Sequence, residues 1–462
     1  MNESKFTKNK DTGIIMKSRS FVALGLVACC LMGCGQKTDD TKGDYAKPAE
    51  PSVATETESS MEADNTDSNE IAVVEGFGDY VTSIDNLEIP EGTRIVALGE
   101  ASHGNSEFQQ LKIEVFRVLV EKYDIRTLVI EGDFGGCTLV NDYILGGEGD
   151  AEELTKHLGY RLYRTDDMMR LITWMREYNE SAPDDKKVRL YGMDVQKSMD
   201  NIQVLKEFYS KVDSTKAKEV SDNLDLLFGT EEDGYDKEKI DEIIEYTDSL
   251  VTDISDNAED YIAATDQDQQ FRAMLAAESL NYYIILLEKE GGSNKYRDGA
   301  MKVIVDQVLE YEEMNHSTEI MMSCHNGHMT KNNSSPATFL GTDLYDEYES
   351  AYFAIGTDFY ISNCNLPDKD GRIVVEFIGD DPLAYSMKDS DLDKGLLTFS
   401  NVEEGTPLYE VINSKISTGS IGEYYQAGMN AIKPMYEIRY APVDMYDAMI
   451  LYYEVNPTEI WE

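Results

Sequence analysis

Residues 94–123 read RIVALGEASHGNSEFQQLKIEVFRVLVEKY. RIVALGE is a short β-branched run of the kind that forms a buried strand. SEFQQLKIEVFRVLVEKY (106–123) carries Phe108, Leu111, Val115, Val118 and Leu119 at helical spacing. Between them a loop sets Glu100, Ser102 and His103 between Gly99 and Gly104, in a chain with only five histidines. The strand, loop and helix unit recurs: TLVIEGD (127–133) precedes a helical stretch to Ile144 that stops at Gly146 and Gly147, and VRLYGMD (188–194) follows a helix over 166–180. A helix over 296–314 leads into EIMMSCHNGH (319–328), a fourth strand with its exit loop, and SAYFAIGTDF (350–359) is a fifth strand. This alternation predicts an α/β protein with a mostly parallel central sheet and helices on both faces.

Two regions depart from that rhythm. Over about 198–290 strand signals lapse and acidic helical patterns such as KEKIDEIIEYTDSLVTDI (237–254) dominate, which predicts a helical insertion or subdomain. The end of the chain, with RIVVEFIG, LLTFS, YEIRYAP and MILYYEV, is strand-rich and is expected to add edge strands or a small antiparallel part.

The 462 residues are 41% hydrophobic and 10% aromatic, enough for a sizeable core. The 41 basic and 89 acidic residues leave a net charge of -48, which repels nucleic-acid phosphates and anionic lipid surfaces. At the start, Lys17 and Arg19 precede an apolar segment ending in Leu31-Met32-Gly33-Cys34. That is the layout of a signal peptide over 1–34, with either Met1 or Met16 as its start, and its end resembles a bacterial lipobox cleaved before a lipidated Cys34. The expectation is an extracytoplasmic protein held at the cell membrane by that lipid. Residues 35–71, rich in Thr, Ser, Asp and Glu, are expected to be a disordered acidic tether, and 72–462 the folded domain. Cys137, Cys324 and Cys364 are scattered through it and form no disulfide framework.

In a doubly wound sheet ligands sit beyond the carboxyl ends of the strands. Those ends carry Glu100 and His103, then Glu131 and Asp133, then Asp194, then His325 and His328, then Asp358. A carboxylate that accepts from one imidazole nitrogen leaves the other free to take a proton near neutral pH, so Glu100 and His103 suit a general base; a histidine capping the helix after it is the plain alternative. The H-x-x-H of CHNGH, taken with Glu100 or Glu131, would also suit half of a metal site. Ser102 lies in no G-x-S-x-G elbow and is not expected to act as a nucleophile. His157 and His316 stand in polar surroundings and are expected at the surface.

GEASHGNSEFQQLK, LVIEGDF, NDYILGG, TWMREYN, VRLYGMDVQ, YRDGAM, CHNGHM and AIGTDF resemble, in this order, the blocks of the erythromycin esterase family over about residues 85–360. The resemblance implies a mixed α/β sheet with a helical subdomain, and hydrolysis of a macrolactone ester by water that a histidine activates, with no covalent acyl-enzyme and no required metal or other cofactor. It places the base on His103, its supporting carboxylates on Glu100 and Glu131, an arginine on Arg297 and the paired histidines on His325 and His328. Asp133, Asp194 and Asp358 are left to bind a small ester substrate, and Arg297 and His325 to steady the oxyanion. YRTDD at 163–167 departs from the family pattern, which usually has glutamate and often tryptophan there. Two rivals remain: a metal-dependent hydrolase built on the same His and Glu cluster, and a surface lipoprotein that captures a ligand without turning it over. Oligomeric state is not legible.

Overall fold

The computed structural model describes residues 71–461 apart from 230–234, 236, 290–292, 333–339 and 370. Cys34, the signal segment and nearly all of the tether lie outside the described residues. The strands are β1 (Val81–Thr82), β2 (Ile95–Glu100), β3 (Thr127–Asp133), β4 (Arg189–Asp194), β5 (Ile320–His325), β6 (Tyr352–Asp368), β7 (Gly371–Ile378), β8 (Lys394–Thr398), β9 (Ile416–Gly419), β10 (Glu437–Tyr440) and β11 (Ala448–Val455). The principal helices are α1 (Ser106–Tyr123), α2 (Phe134–Ile144), α3 (Ala151–Thr155), α4 (Asp166–Ser181), α5 (Met199–Val212), α6 (Ser214–Phe228), α7 (Ile240–Asp256), α8 (Ala258–Ala264), α9 (Gln267–Leu287), α10 (Ser293–Asn315) and α11 (Asn326–Met329).

Nine strands form one mixed sheet in the order β1-β8-β11-β6-β2-β5-β3-β4, with β7 paired to the outer half of β6. The six from β11 to β4 are parallel, whereas β1, β7 and β8 run antiparallel to their neighbours. The strand period of two sorts side chains to opposite faces. Ile95, Ala97, Val129, Met193 and Met322 enter a core shared with α5, α9 and α10, while Val96, Leu98, Leu128, Ile130 and Met321 enter the core under α1 and α4. α1 buries the five apolar positions that its spacing marked, and also the side chain of Lys112.

The described residues of 198–289 are largely helical, and they are not set apart from the sheet. α5 and α9 pack on α2 and share one continuous hydrophobic core with the sheet. Two further differences lie in the C-terminal half. β6 continues nine residues past the expected end, because 361–368 alternate buried and half-buried residues and fold back as β7. β11 is neither at an edge nor antiparallel to all around it: it inserts between β8 and β6, parallel to β6. MILYYEV is apolar on both faces, which suits an interior strand, but periodicity does not say between which neighbours such a strand inserts. β9 and β10 do form a small antiparallel sheet of their own.

Register then builds the rim. Glu100 stands opposite His325 on β5, and Asp133 opposite Asp194 on β4. The loop after β2 is held down by β6 and the chain's end: the Gly104 carbonyl accepts from the N–H groups of Asn365 (3.0 Å) and Thr458 (2.9 Å). Neither Gly99 nor Gly104 has a left-handed backbone, so the glycines serve close approach rather than a special turn. A Cβ on Gly104 would stand 2.4 Å from the Asn365 carbonyl oxygen and 2.6 Å from Cys364 Sγ. Gly104→Ala is therefore expected to destabilise the fold by about 1–3 kcal/mol through overpacking, read as a lowered urea midpoint. Gly78→Ala, where a Cβ meets nothing within 4 Å, is the control and should leave that midpoint almost unmoved.

Candidate active site

β2 ends in Glu100, 1% exposed, whose Oε1 accepts from Lys112 Nζ at 2.5 Å. Its Oε2 faces His103 Nδ1 at 3.7 Å with no hydrogen-bond partner of its own. Burial alone would push the Glu100 carboxyl up, but Lys112 and His103 outweigh it and the group sits below the usual carboxylate range. For His103 burial pulls downward, while Glu100, Glu131 and Glu423 pull harder, and the imidazole sits above its ordinary 6.5. Lys112 was not singled out in the sequence. Its signal was a lysine on the apolar face of α1, one turn past Phe108, over the Tyr163 ring at 5.7 Å.

Glu131 at the end of β3 accepts from the His325 backbone N–H (2.9 Å) and from Arg297 Nη2 (2.7 Å), with His328 Nε2 3.7 Å away. Burial raises its pKa, but His328, Arg297, His103 and that backbone N–H hold it well below the carboxylate range. Arg297 from α10 also grips Asp194 through Nε at 2.9 Å and through Nη2. Its Nη1 stands 3.2 Å from His328 Nε2, and His328 Nδ1 lies 2.9 Å from Asp298 Oδ1. Three N–H groups are thus committed to carboxylates, so Arg297 is a clamp between β3 and β4 rather than the oxyanion donor the sequence suggested.

That role falls more naturally to His325. Its Nδ1 accepts the Gly327 N–H at 3.1 Å. Burial, followed by the charges of His103 and His328, drives its pKa down to about 3, so the ring is neutral and carries its proton on Nε2. That Nε2 is buried and has no hydrogen-bond partner in the protein. The two rings are 5.0 Å apart between centroids. The arrangement pairs a base nitrogen with a neighbouring unspent donor, and His103, Arg297 and His328 each keep 11–12% exposure to solvent.

Other expected residues are placed elsewhere. The Asp133 carboxylate caps α2 through the Gly136 N–H (2.6 Å) and meets Asn201 Nδ2 at 3.3 Å; burial, with Asp200 and Asp194 nearby, pushes it up to about 8. Asp358 is fully buried, accepts from the N–H groups of Phe359 (2.7 Å) and Gly419 (3.0 Å), and is pushed far above the carboxylate range by burial and by Asp381. Both aspartates tie the framework together and neither presents an open face to a ligand. Asp194 is likewise buried, spent on Arg297, the Tyr160 hydroxyl and the Val195 N–H. The buried Ser102 hydroxyl donates to Asn105 Oδ1. His157 is half-buried beside Asp200, whereas His316 is largely covered and pairs with Asp268 at 3.1 Å, contrary to the surface position expected for it. Cys137, Cys324 and Cys364 are free and buried. Among the described residues no three His, Cys, Asp or Glu side chains form a metal-ligand group, and the cation among Glu131, Asp194 and His328 is the Arg297 guanidinium.

Comparison with known proteins places this geometry. A family model described as Erythromycin esterase matches residues 120–455, so the match takes in Glu131, Arg297 and both site histidines of β5 and α11 but begins after the His103 loop. "Erythromycin esterase type II" of Escherichia coli is 27% identical over 138 residues, a stretch that covers 29% of this chain and only 32% of that protein. A crystal structure of a Bacillus cereus protein superposes with a TM-score of 0.69 at 20% identity, over 84% of this chain and 98% of its own. A mutant of the erythromycin esterase EreC in its open conformation gives 0.57 at 17% identity, over 80% and 92%.

Two outcomes follow from the buried charges. Lys112→Met strands Glu100 and should cost about 3–5 kcal/mol in denaturant unfolding at neutral pH; adding Glu100→Gln should recover part of that loss, and a double variant no more stable than the single one would break the pairing argument. Because His103 is held above 6.5 by carboxylates, the fraction of free base falls as pH drops through that raised value. Glu100→Gln should therefore move the histidine titration to lower pH, a shift that NMR of the ring resonances measures directly.

Proposed function

The chain belongs to the erythromycin esterase family; from this premise we propose that it is a hydrolase that opens a macrolactone or similarly bulky ester of small-molecule size with water activated by His103. The observation that carries the reading is the adjacency of His103, backed by Glu100, to the unspent Nε2–H of His325. Glu100 draws the proton of His103 to Nδ1 and leaves Nε2 to take one from water. The hydroxide so formed attacks the ester carbonyl, and the developing oxyanion is met by His325, a contribution of roughly 3–4 kcal/mol for one such donor in other enzymes. The imidazolium then returns its proton to the departing alkoxide. Arg297 keeps Glu131, Asp194 and His328 in place throughout. In this reading the protein works outside the cell membrane, held by a lipid on Cys34, where it would meet and inactivate macrolides.

The test is incubation of the purified chain with a panel of macrolides, followed by mass spectrometry for addition of one water. Wild type should open at least one lactone, and His103→Ala should lose about 10²–10⁴-fold in rate. Equal turnover by His103→Ala removes the base assignment, and no turnover of any macrolide removes the substrate. Activity that persists in chelator, with no metal in the purified protein, sets the metal-dependent rival aside; activity lost in chelator and restored by a metal would establish it.

A further inference from the structure

Glu423 lies well outside the blocks that marked the site in the sequence, yet the fold brings it to His103. Ile421 donates its N–H to the Ala101 carbonyl at 2.8 Å and forms a parallel bridge with Ser102. The chain from β9 therefore runs beside the loop after β2, with Glu423 two residues past the contact and His103 one residue past it. Glu423 Oε1 accepts from Arg372 Nη1 of β7 at 2.5 Å, and its Oε2 is buried with no hydrogen-bond partner. Arg372 is itself fixed: Nε and Nη2 donate to the side-chain and backbone oxygens of Asn365 at 3.0 and 2.7 Å.

Resting on the reading of His103 as the base, we propose that Glu423 is a positioning residue for it, a carboxylate from the C-terminal segment that supplies counter-charge to the imidazolium formed when water gives up its proton. The charge arrangement favours it. Glu131 spends both oxygens, on Arg297 and on the His325 N–H. Glu100 and Glu423 each satisfy one oxygen with a cation and keep the other buried and unpartnered. Glu423 is among the groups that raise His103, together with Glu100 and Glu131 and against burial. Its charge also reaches the neighbouring thiol of Cys364, which burial first and Glu423 in addition push up to about 12. Other charged or titratable groups at this rim include Lys112 on α1, Tyr163, Arg297 and Asp298 on α10, His325 at the end of β5 and His328 on α11; none of them changes in the variants below. Through Arg372, the β6-β7 arm then tunes the base by way of Glu423, as Lys112 does by way of Glu100.

The experiment follows His103 by NMR in the full chain labelled at histidine, with its resonance assigned by His103→Gln. Glu423→Gln should lower the His103 pKa by about half a unit or more, and Arg372→Met, which unmasks Glu423, should raise it by a similar amount. Opposite shifts are the signature, since general damage to the loop would move both variants alike. Shifts of the same sign, or an unmoved pKa in both, overturn the proposal. Should Glu423→Gln fail to fold, the direction of shift in Arg372→Met decides alone. The readout is independent of turnover: opposite shifts without ester hydrolysis keep the coupling and remove the reaction, while hydrolysis with an unmoved pKa does the reverse.

Discussion

A largely covered guanidinium held between two buried carboxylates organises the end of the sheet. Arg297 joins α10 to Glu131 on β3 and Asp194 on β4. Parallel strands that all deliver acids to one rim create a problem, because like charges in a buried place cannot all stay ionised. The fold answers it with cations brought from the helices, Arg297 for β3 and β4 and Lys112 for β2. Where burial and neighbouring acids prevail, as at Asp133 and Asp358, the carboxyl is pushed up toward its neutral form and serves the framework through backbone N–H groups.

The same balance divides the histidines by function. His103 sits among carboxylates that keep partial negative charge toward it, and it is biased to accept a proton. His325, 5.0 Å away, feels burial and two other histidines before any carboxylate and is biased to stay neutral and donate. Two chemically identical rings thereby acquire opposite tasks, through the different groups that strands and helices bring to each.

Much of this was legible in the chain. β2, α1 and β3 fall where the alternation of β-branched runs and helical spacing put them, and α10, β4 and β5 do so within a few residues, because each must bury a face that its own sequence has to supply. Glu100, His103, Glu131, His325 and His328 gather from the strand ends, and Arg297, which only the family resemblance had marked, joins them from α10. The roles were less legible. Arg297 read as an oxyanion donor until its N–H groups were found on Asp194 and Glu131, and Asp133 and Asp358 read as ligand-facing until their carboxyls were found spent on backbone. A side chain's freedom is decided by its partners, and sequence does not list them.

Lys112 and Glu423 mark the boundary between the two kinds of information. The lysine left a trace, a charge on an apolar stripe, which local periodicity can flag. Glu423 left none, since it comes from a loop some 320 residues beyond His103 and nears it because the segment after β9 lies along Ser102. The sequence by itself determined which segments are strands and helices and which strand ends carry acids and imidazoles, because burial of an element's own face is a local demand. Only the tertiary structure decided which acid meets which cation, because that depends on strand order and on long-range contacts, and a charge takes its character from whatever stands within a few ångströms of it.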